Sequence, residues 1–141
     1  MSDSVSQPAA PKGAAKSLSS TYVHLRDDKS AADVEVTPTF WQELGSGERP
    51  GLDAGRLLMQ LDSTEDWPTW EMHPAGDEVV FLVAGTVEFV LEVDGQEQCV
   101  TLKAPGDFVR VPRGVWHTAR ISSHCSLVFV TPGEGTLNRP R

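Results

Sequence analysis

A run of alternating residues leads into Asp94-Gly95, and no other feature constrains the fold of this chain as strongly. Val87, Phe89, Leu91 and Val93 alternate with Glu88 and Glu92. A period of two sends one set to the core face of a strand and the other set to solvent. Asp-Gly supplies the positive-φ pair of a tight hairpin turn. Such a turn sets the register, with Val90 opposite Cys99 and Phe89 opposite Val100. Phe89 and Val100 then face the core, and Cys99 falls on the other, more polar face.

The same punctuation recurs along the chain. Tyr22, Val23 and Leu25 begin the ordered part. Val34 and Val36 alternate with Glu35, and Phe40 and Trp41 follow a bend at Pro38, which reads as short edge strands. Residues 45–55 hold four glycines and Pro50 and read as a loop. Residues 56–61 read as a strand, and 62–66 as a polar loop before Trp67 and Pro68. Pro105-Gly106 and Pro112-Arg113-Gly114 are turns on either side of a strand over 108–111. Segments 116–121 and 127–130 are the last strands, and 132–135 closes the domain. No stretch has a helical period, so no helix beyond one or two turns is expected. Many short strands between Gly and Pro make the fold class all-β, an antiparallel barrel or sandwich.

Length and charge limit what such a domain can do. The chain has 141 residues, enough for one domain with a real core. Residues 1–19 are rich in Ser, Ala, Pro and Lys and cannot bury enough apolar surface to offset their ordering entropy. They are expected to form a disordered tail before a barrel over 20–135, with 136–141 frayed. Twenty acidic and 12 basic residues give a formal charge of −8, with no cationic cluster. Binding to nucleic acid is not expected. Neither a membrane span nor a secretory leader is evident, which places the protein in the cytoplasm. Cys99 and Cys125 have no metal-like spacing and read as reduced thiols.

The chemistry gathers in residues 70–85, W-E-M-H-P-A-G-D-E-V-V-F-L-V-A-G. Glu71 and His73 are two apart and share one face of a strand. After a Pro-Ala-Gly-Asp turn, Glu78 opens an apolar run that ends at Gly85. A second stretch, G-D-F-V-R-V-P-R-G-V-W-H over 106–117, adds the His117 imidazole. His24 and His124 fit no pattern and read as ordinary.

These two stretches resemble the paired motifs of the cupin superfamily, specifically a small single-domain cupin with a jelly-roll, double-stranded β-helix barrel. The first family motif is Gly-x5-His-x-His-x3-4-Glu-x6-Gly, and His73, Glu78 and Gly85 match its second His, its Glu and its closing Gly. The second is Gly-x5-Pro-x-Gly-x2-His-x3-Asn, and Gly106, Pro112, Gly114 and His117 match it without a gap. Three positions depart from the pattern. Glu71 stands where the first His would be, Glu65 where the leading Gly would be, and Ile121 where the Asn would be.

The resemblance implies a divalent metal held by His73, Glu78 and His117. A set of two His and one carboxylate leaves coordination positions open and suits Fe(II). Glu71 is a fourth ligand, a carboxylate that only supports a ligand, or a general base. As a ligand it would favour Mn, Fe or Ni, and Zn remains open; Fe or Mn is preferred. Met59, Trp70, Phe81, Trp116 and Ile121 are candidates to touch a substrate, although core or rim positions suit the aromatic ones as well. Arg110 and Arg113 are expected to pair with surface carboxylates.

The implied function is a metal-dependent enzyme, dioxygenase-like or isomerase-like, acting on a small organic molecule, with Glu71 moving a proton. The competing reading is a non-enzymatic ligand- or metal-sensing module resembling cupin anti-sigma factors. A metal-free epimerase-like barrel is a third, weakened by the single tyrosine, Tyr22. Apolar residues of the N-terminal segment, among them Tyr22, Val23 and Trp41, lack a place in the minimal barrel, and because many cupins pair through their N-terminal strands the resemblance implies a homodimer.

Overall fold

The computed structural model describes residues 14–52 and 54–141. Most of the tail expected to be disordered, residues 1–13, lies outside that range. Its described end is tied down: the Thr21 amide reaches the Ser17 carbonyl at 2.8 Å, and the Gln60 amide reaches that of Leu18 at 3.2 Å.

The elements run β1 (Thr21–Leu25), β2 (Ala31–Glu35), α1 (Phe40–Gly45), β3 (Arg56–Ser63), β4 (Thr69–Met72) and β5 (Glu78–Gly85). There follow β6 (Val87–Val93), β7 (Gln96–Leu102), β8 (Phe108–Val111), β9 (His117–Arg120), β10 (Cys125–Thr131) and β11 (Leu137–Pro140). They form two antiparallel sheets. One has the order β2-β1-β3-β10-β5-β8, the other β11-β4-β9-β6-β7. This is the all-β jelly-roll arrangement that the sequence implies.

The hairpin forms as its alternation dictates. Asp94 and Gly95 have φ of 52° and 77°, and Phe89 pairs with Val100 and Val90 with Cys99. Phe89 is fully buried and Cys99 is exposed. Between the facing sheets lies one core that includes Met59, Val80, Leu82, Phe89, Leu127 and Phe129.

Two segments differ from the sequence reading. Residues 40–45 are the helix α1 and not an edge strand. The driving force is a contact between elements: Phe40 is completely buried and meets Tyr22 edge-on at 5.4 Å. One helical turn lets Phe40 and Trp41 both reach Tyr22, which a strand would send to opposite faces. Tyr22 thus has a place within its own chain, which removes one reason for expecting a partner; Trp41 stays 48% exposed. The second difference is the C-terminus. Residues 137–140, expected to fray, are β11, paired with β4 from Leu137↔Met72 to Pro140↔Thr69.

Gly85 shows why the fold needs glycine at the end of β5. Its φ is 81°, and a Cβ there would run into the His124 carbonyl oxygen, with Cys125 Cα at 2.8 Å. β10 turns in so closely beside β5 that no side chain fits.

Candidate metal centre

Two strands of one sheet and one strand of the other converge on a single point inside the barrel. Glu71 on β4 is the direct cross-strand partner of His117 on β9, so their side chains leave the sheet side by side. His73 follows β4 by one residue and shares the face of Glu71. From the opposite sheet Glu78, the first residue of β5, faces them. Glu71, His73 and His117 each offer a ligand atom within 4.8 Å of the others. Glu78 lies outside that mutual trio but makes close approaches, 3.0 Å from Oε1 to His117 Nε2 and 3.4 Å from Oε2 to His73 Nε2.

The turns between strands hold these groups in place. The Gly114 amide donates to the His73 carbonyl at 3.0 Å. The Arg113 amide donates to Asp77 Oδ1 at 2.8 Å, and the Arg113 guanidinium to the Ala75 carbonyl at 2.9 Å. The two motif turns are therefore laced to each other. Arg110 approaches Asp77 at 3.6 Å, the surface pairing expected of it. Inside, Thr131 Oγ1 donates to Glu78 Oε2 at 2.6 Å. His117 Nδ1 donates to the Val115 carbonyl at 3.1 Å, and His73 Nδ1 sits 2.8 Å from the Thr136 hydroxyl.

What remains unpaired is informative. His73 Nε2, His117 Nε2 and Glu78 Oε1 are buried and lack hydrogen-bond partners. His117 and Glu78 are near each other without the angles of a hydrogen bond. Each orphaned buried polar atom costs about 1–3 kcal/mol. Three such orphans on neighbouring side chains are a poor core but a good donor set for a cation.

The electrostatics agree. Burial works against charge on Glu78, yet the two imidazoles facing it outweigh burial and bring the carboxyl down to about 2. Burial also opposes charge on His117, but Glu78, the Val115 carbonyl and Glu71 together push its pKa up. Glu71 moves the other way from Glu78: burial and the neighbouring Glu78 charge raise its pKa. The pocket thus attracts positive charge and holds more carboxylate than it can comfortably ionise without it.

A family model for the cupin domain matches residues 57–137, more than half of the chain. The chain is a cupin. No curated protein matches it. Among solved structures, it is similar to protein NMB1881 from Neisseria meningitidis, at 28% identity and a TM-score of 0.44, over 54% of this chain and 72% of that one. A cupin-2 domain protein from Shewanella frigidimarina gives 22% and 0.46, over 61% and 71%. Oxalate oxidase gives 15% and 0.50, over 58% and 45%, a likeness of fold.

In this cupin the residues proposed to touch a substrate separate into two groups. Met59, opposite Phe129, and Ile121 are buried in the interior core, and the Ile121 amide donates to Asp66 Oδ1 at 2.7 Å. Trp70, Trp116 and Phe81 do not face the site, which corrects their assignment as substrate contacts. Trp70 alternates with Glu71, so it leaves the outer face of β4, and Trp116 lies beside it, both against Arg139 at 5.2 and 4.5 Å. Phe81 alternates with Val80 and Leu82 and faces outward beside Phe108.

Three residues near the centre were not singled out from the sequence. Trp67 packs edge-on to His117 at 6.0 Å and stacks on Phe129 at 6.1 Å, filling the barrel behind the imidazole. Thr131 and Thr136 hold Glu78 and His73. Thr131 was findable, because it continues the inward alternation of Leu127 and Phe129.

Proposed function

We propose that this cupin binds a divalent metal ion, Fe or Mn in preference to Ni or Zn, through His73, Glu78, His117 and Glu71, and acts enzymatically on a small organic molecule. The observation that carries the reading is the convergence of His73 Nε2, His117 Nε2 and Glu78 Oε1, all buried and unpaired. These donors fit a divalent ion of intermediate hardness. When bound, the ion would supply Lewis acidity and, if Fe, redox chemistry.

The protein's own part in that chemistry can be stated residue by residue. His73, His117 and Glu78 would hold the ion from both sheets. Trp67 excludes water from the side of His117. Glu71 is the most open of the group, with its side chain 34% exposed against 5% or less for the other three, so a ligand would approach past it. Its raised pKa suits a carboxyl that accepts and returns a proton at a substrate atom. Oxidative, dioxygenase-like chemistry or isomerisation would both use such a site. The free thiols of Cys99 and Cys125 support a reducing, cytoplasmic setting. A homodimer through the N-terminal strands belongs to this reading, and a light-scattering mass near the 15.3 kDa monomer would remove it.

A non-enzymatic, metal- or ligand-sensing role is favoured by one observation, the nearness of Glu71 to both imidazoles. Four donors around Zn close a tetrahedral site, whereas the same four around Fe or Mn leave positions open. Purification without added metal, elemental analysis and a dioxygen-uptake screen separate the two. Stoichiometric Fe or Mn with substrate-dependent uptake supports the enzyme, and tightly held Zn with no turnover supports the sensor. Protein that takes up no metal under any loading condition refutes both.

A further inference from the structure

The turn that leads into β11 reaches the centre through Thr136. Gly135, at φ of 73°, turns the backbone so that Thr136 comes to lie over His73. The Thr136 hydroxyl makes two contacts of 2.8 Å, one to the Gly133 carbonyl oxygen and one to His73 Nδ1. A carbonyl only accepts, and a hydroxyl has a single proton to give. Thr136 gives it to Gly133, and so must accept from His73. That places the ring proton of His73 on Nδ1 and leaves the Nε2 lone pair free. Nε2 is the atom 3.4 Å from Glu78 and 3.8 Å from Glu71. His117 arrives at the same tautomer through the Val115 carbonyl.

β11, which begins at the next residue, keeps Thr136 there. Asn138 pairs with Glu71 across the strand. On the outer face the Arg139 guanidinium lies between the rings of Trp70 and Trp116 and donates to Glu92 Oε2 at 2.7 Å. Trp70 and Trp116 are the residues immediately before Glu71 and His117. One side chain of β11 thus grips, from behind, two of the three strands that carry the centre.

We propose that Thr136 is a positioning residue that fixes His73 in the Nδ1–H tautomer, presenting Nε2 to the interior. The consequence for metal affinity rests on the function proposed above; the tautomer itself does not.

The test uses the full chain with Thr136→Val, which keeps the shape and removes the hydroxyl, and Thr136→Ser, which restores it. Nitrogen-15 NMR of histidine-labelled, metal-free protein at about pH 9, where imidazole is neutral, reads the tautomer directly. Wild type and Thr136→Ser are expected to carry the His73 proton on Nδ1, and Thr136→Val to shift it wholly or partly to Nε2. Titration with Co(II) is then expected to show about 10–100-fold weaker binding for Thr136→Val and near-wild-type binding for Thr136→Ser. Circular dichroism checks that each variant is folded, with Thr136→Ala replacing a Val variant that is not. An unchanged His73 tautomer in the variant lacking the hydroxyl overturns the proposal, as does failure of Ser to restore it. Wild-type protein that does not bind Co(II) counts against the metal reading alone, and the NMR result still decides the role of Thr136.

Discussion

His117 Nε2 and Glu78 Oε1 face each other at 3.0 Å, one from each sheet, without the angles of a hydrogen bond. A carboxylate set against an imidazole lone pair is relieved by a proton on the ring or by a cation between or beside them. His117→Ala, His73→Ala and Glu78→Gln are each expected to weaken Mn(II) or Fe(II) binding by more than about 100-fold, beyond the loss typical of an outer partner. Equilibrium dialysis measures it. Wild-type affinity in any one variant would remove that residue from the ligand set.

Glu71 allows a sharper separation. Glu71→Gln keeps the shape and removes the charge. As a ligand, Glu71 contributes affinity, so the variant is expected to bind metal at least about 10-fold more weakly. Unchanged metal content with lost turnover would instead make Glu71 a proton carrier. Glu71→His is expected to shift preference towards Zn or Cu, measured by competition between metals.

Metal-free protein is expected to lose stability as pH rises. The His117 pKa is raised from 6.5, so its contribution is full below about 6.5 and fades as pH climbs through the folded value. Glu71, also raised, has the same sense, with its contribution fading above its ordinary 4.5. Glu78 has the opposite sense, since its contribution is present above 4.5 and is lost only as pH falls towards about 2. Calorimetry in chelator is therefore expected to give a higher Tm near about pH 6 than near about pH 8. Added metal reverses the trend, because ligand imidazoles must shed their protons. A metal-free Tm that rises over that interval would contradict the electrostatics of the centre.

Gly85→Ala is expected to destabilise the fold by at least about 1–3 kcal/mol, the cost of a strained backbone, with a clash added. Its φ is 81° and the new methyl meets the backbone of His124 and Cys125. Urea denaturation reads the loss. Gly95→Ala is the control: φ there is 77°, but no atom lies within 4 Å, so only the conformational part should be seen.

The strands that could be read from the sequence are those with their own period or turn. Asp94-Gly95 set the β6–β7 register, and the spacing of His73, Glu78, Gly85 and His117 located the centre. Residues 40–45 were missed because their conformation follows from Tyr22, a contact between elements that no local period encodes. β11 was missed because L-N-R-P carries no strand alternation; its pairing depends on β4 and on the stacking of Arg139. Trp70 and Trp116 stand beside the motifs in sequence but behind the centre in space. The period of two that directs Glu71 and His117 inward directs their neighbours outward. Thr136 left no trace at all, because its role exists only once a turn brings it over His73.

β10 occupies the middle of the six-stranded sheet, between β3 and β5, although it is the second-to-last strand to be made. During synthesis, β3 and β5 therefore leave the ribosome with a vacant slot between them and both inner edges open. They must wait for about 40 more residues after β5, roughly two to eight seconds at ordinary elongation rates. Closure is long-range and late, so nascent chains stalled before β10 should be the species that chaperones retain and proteases clear.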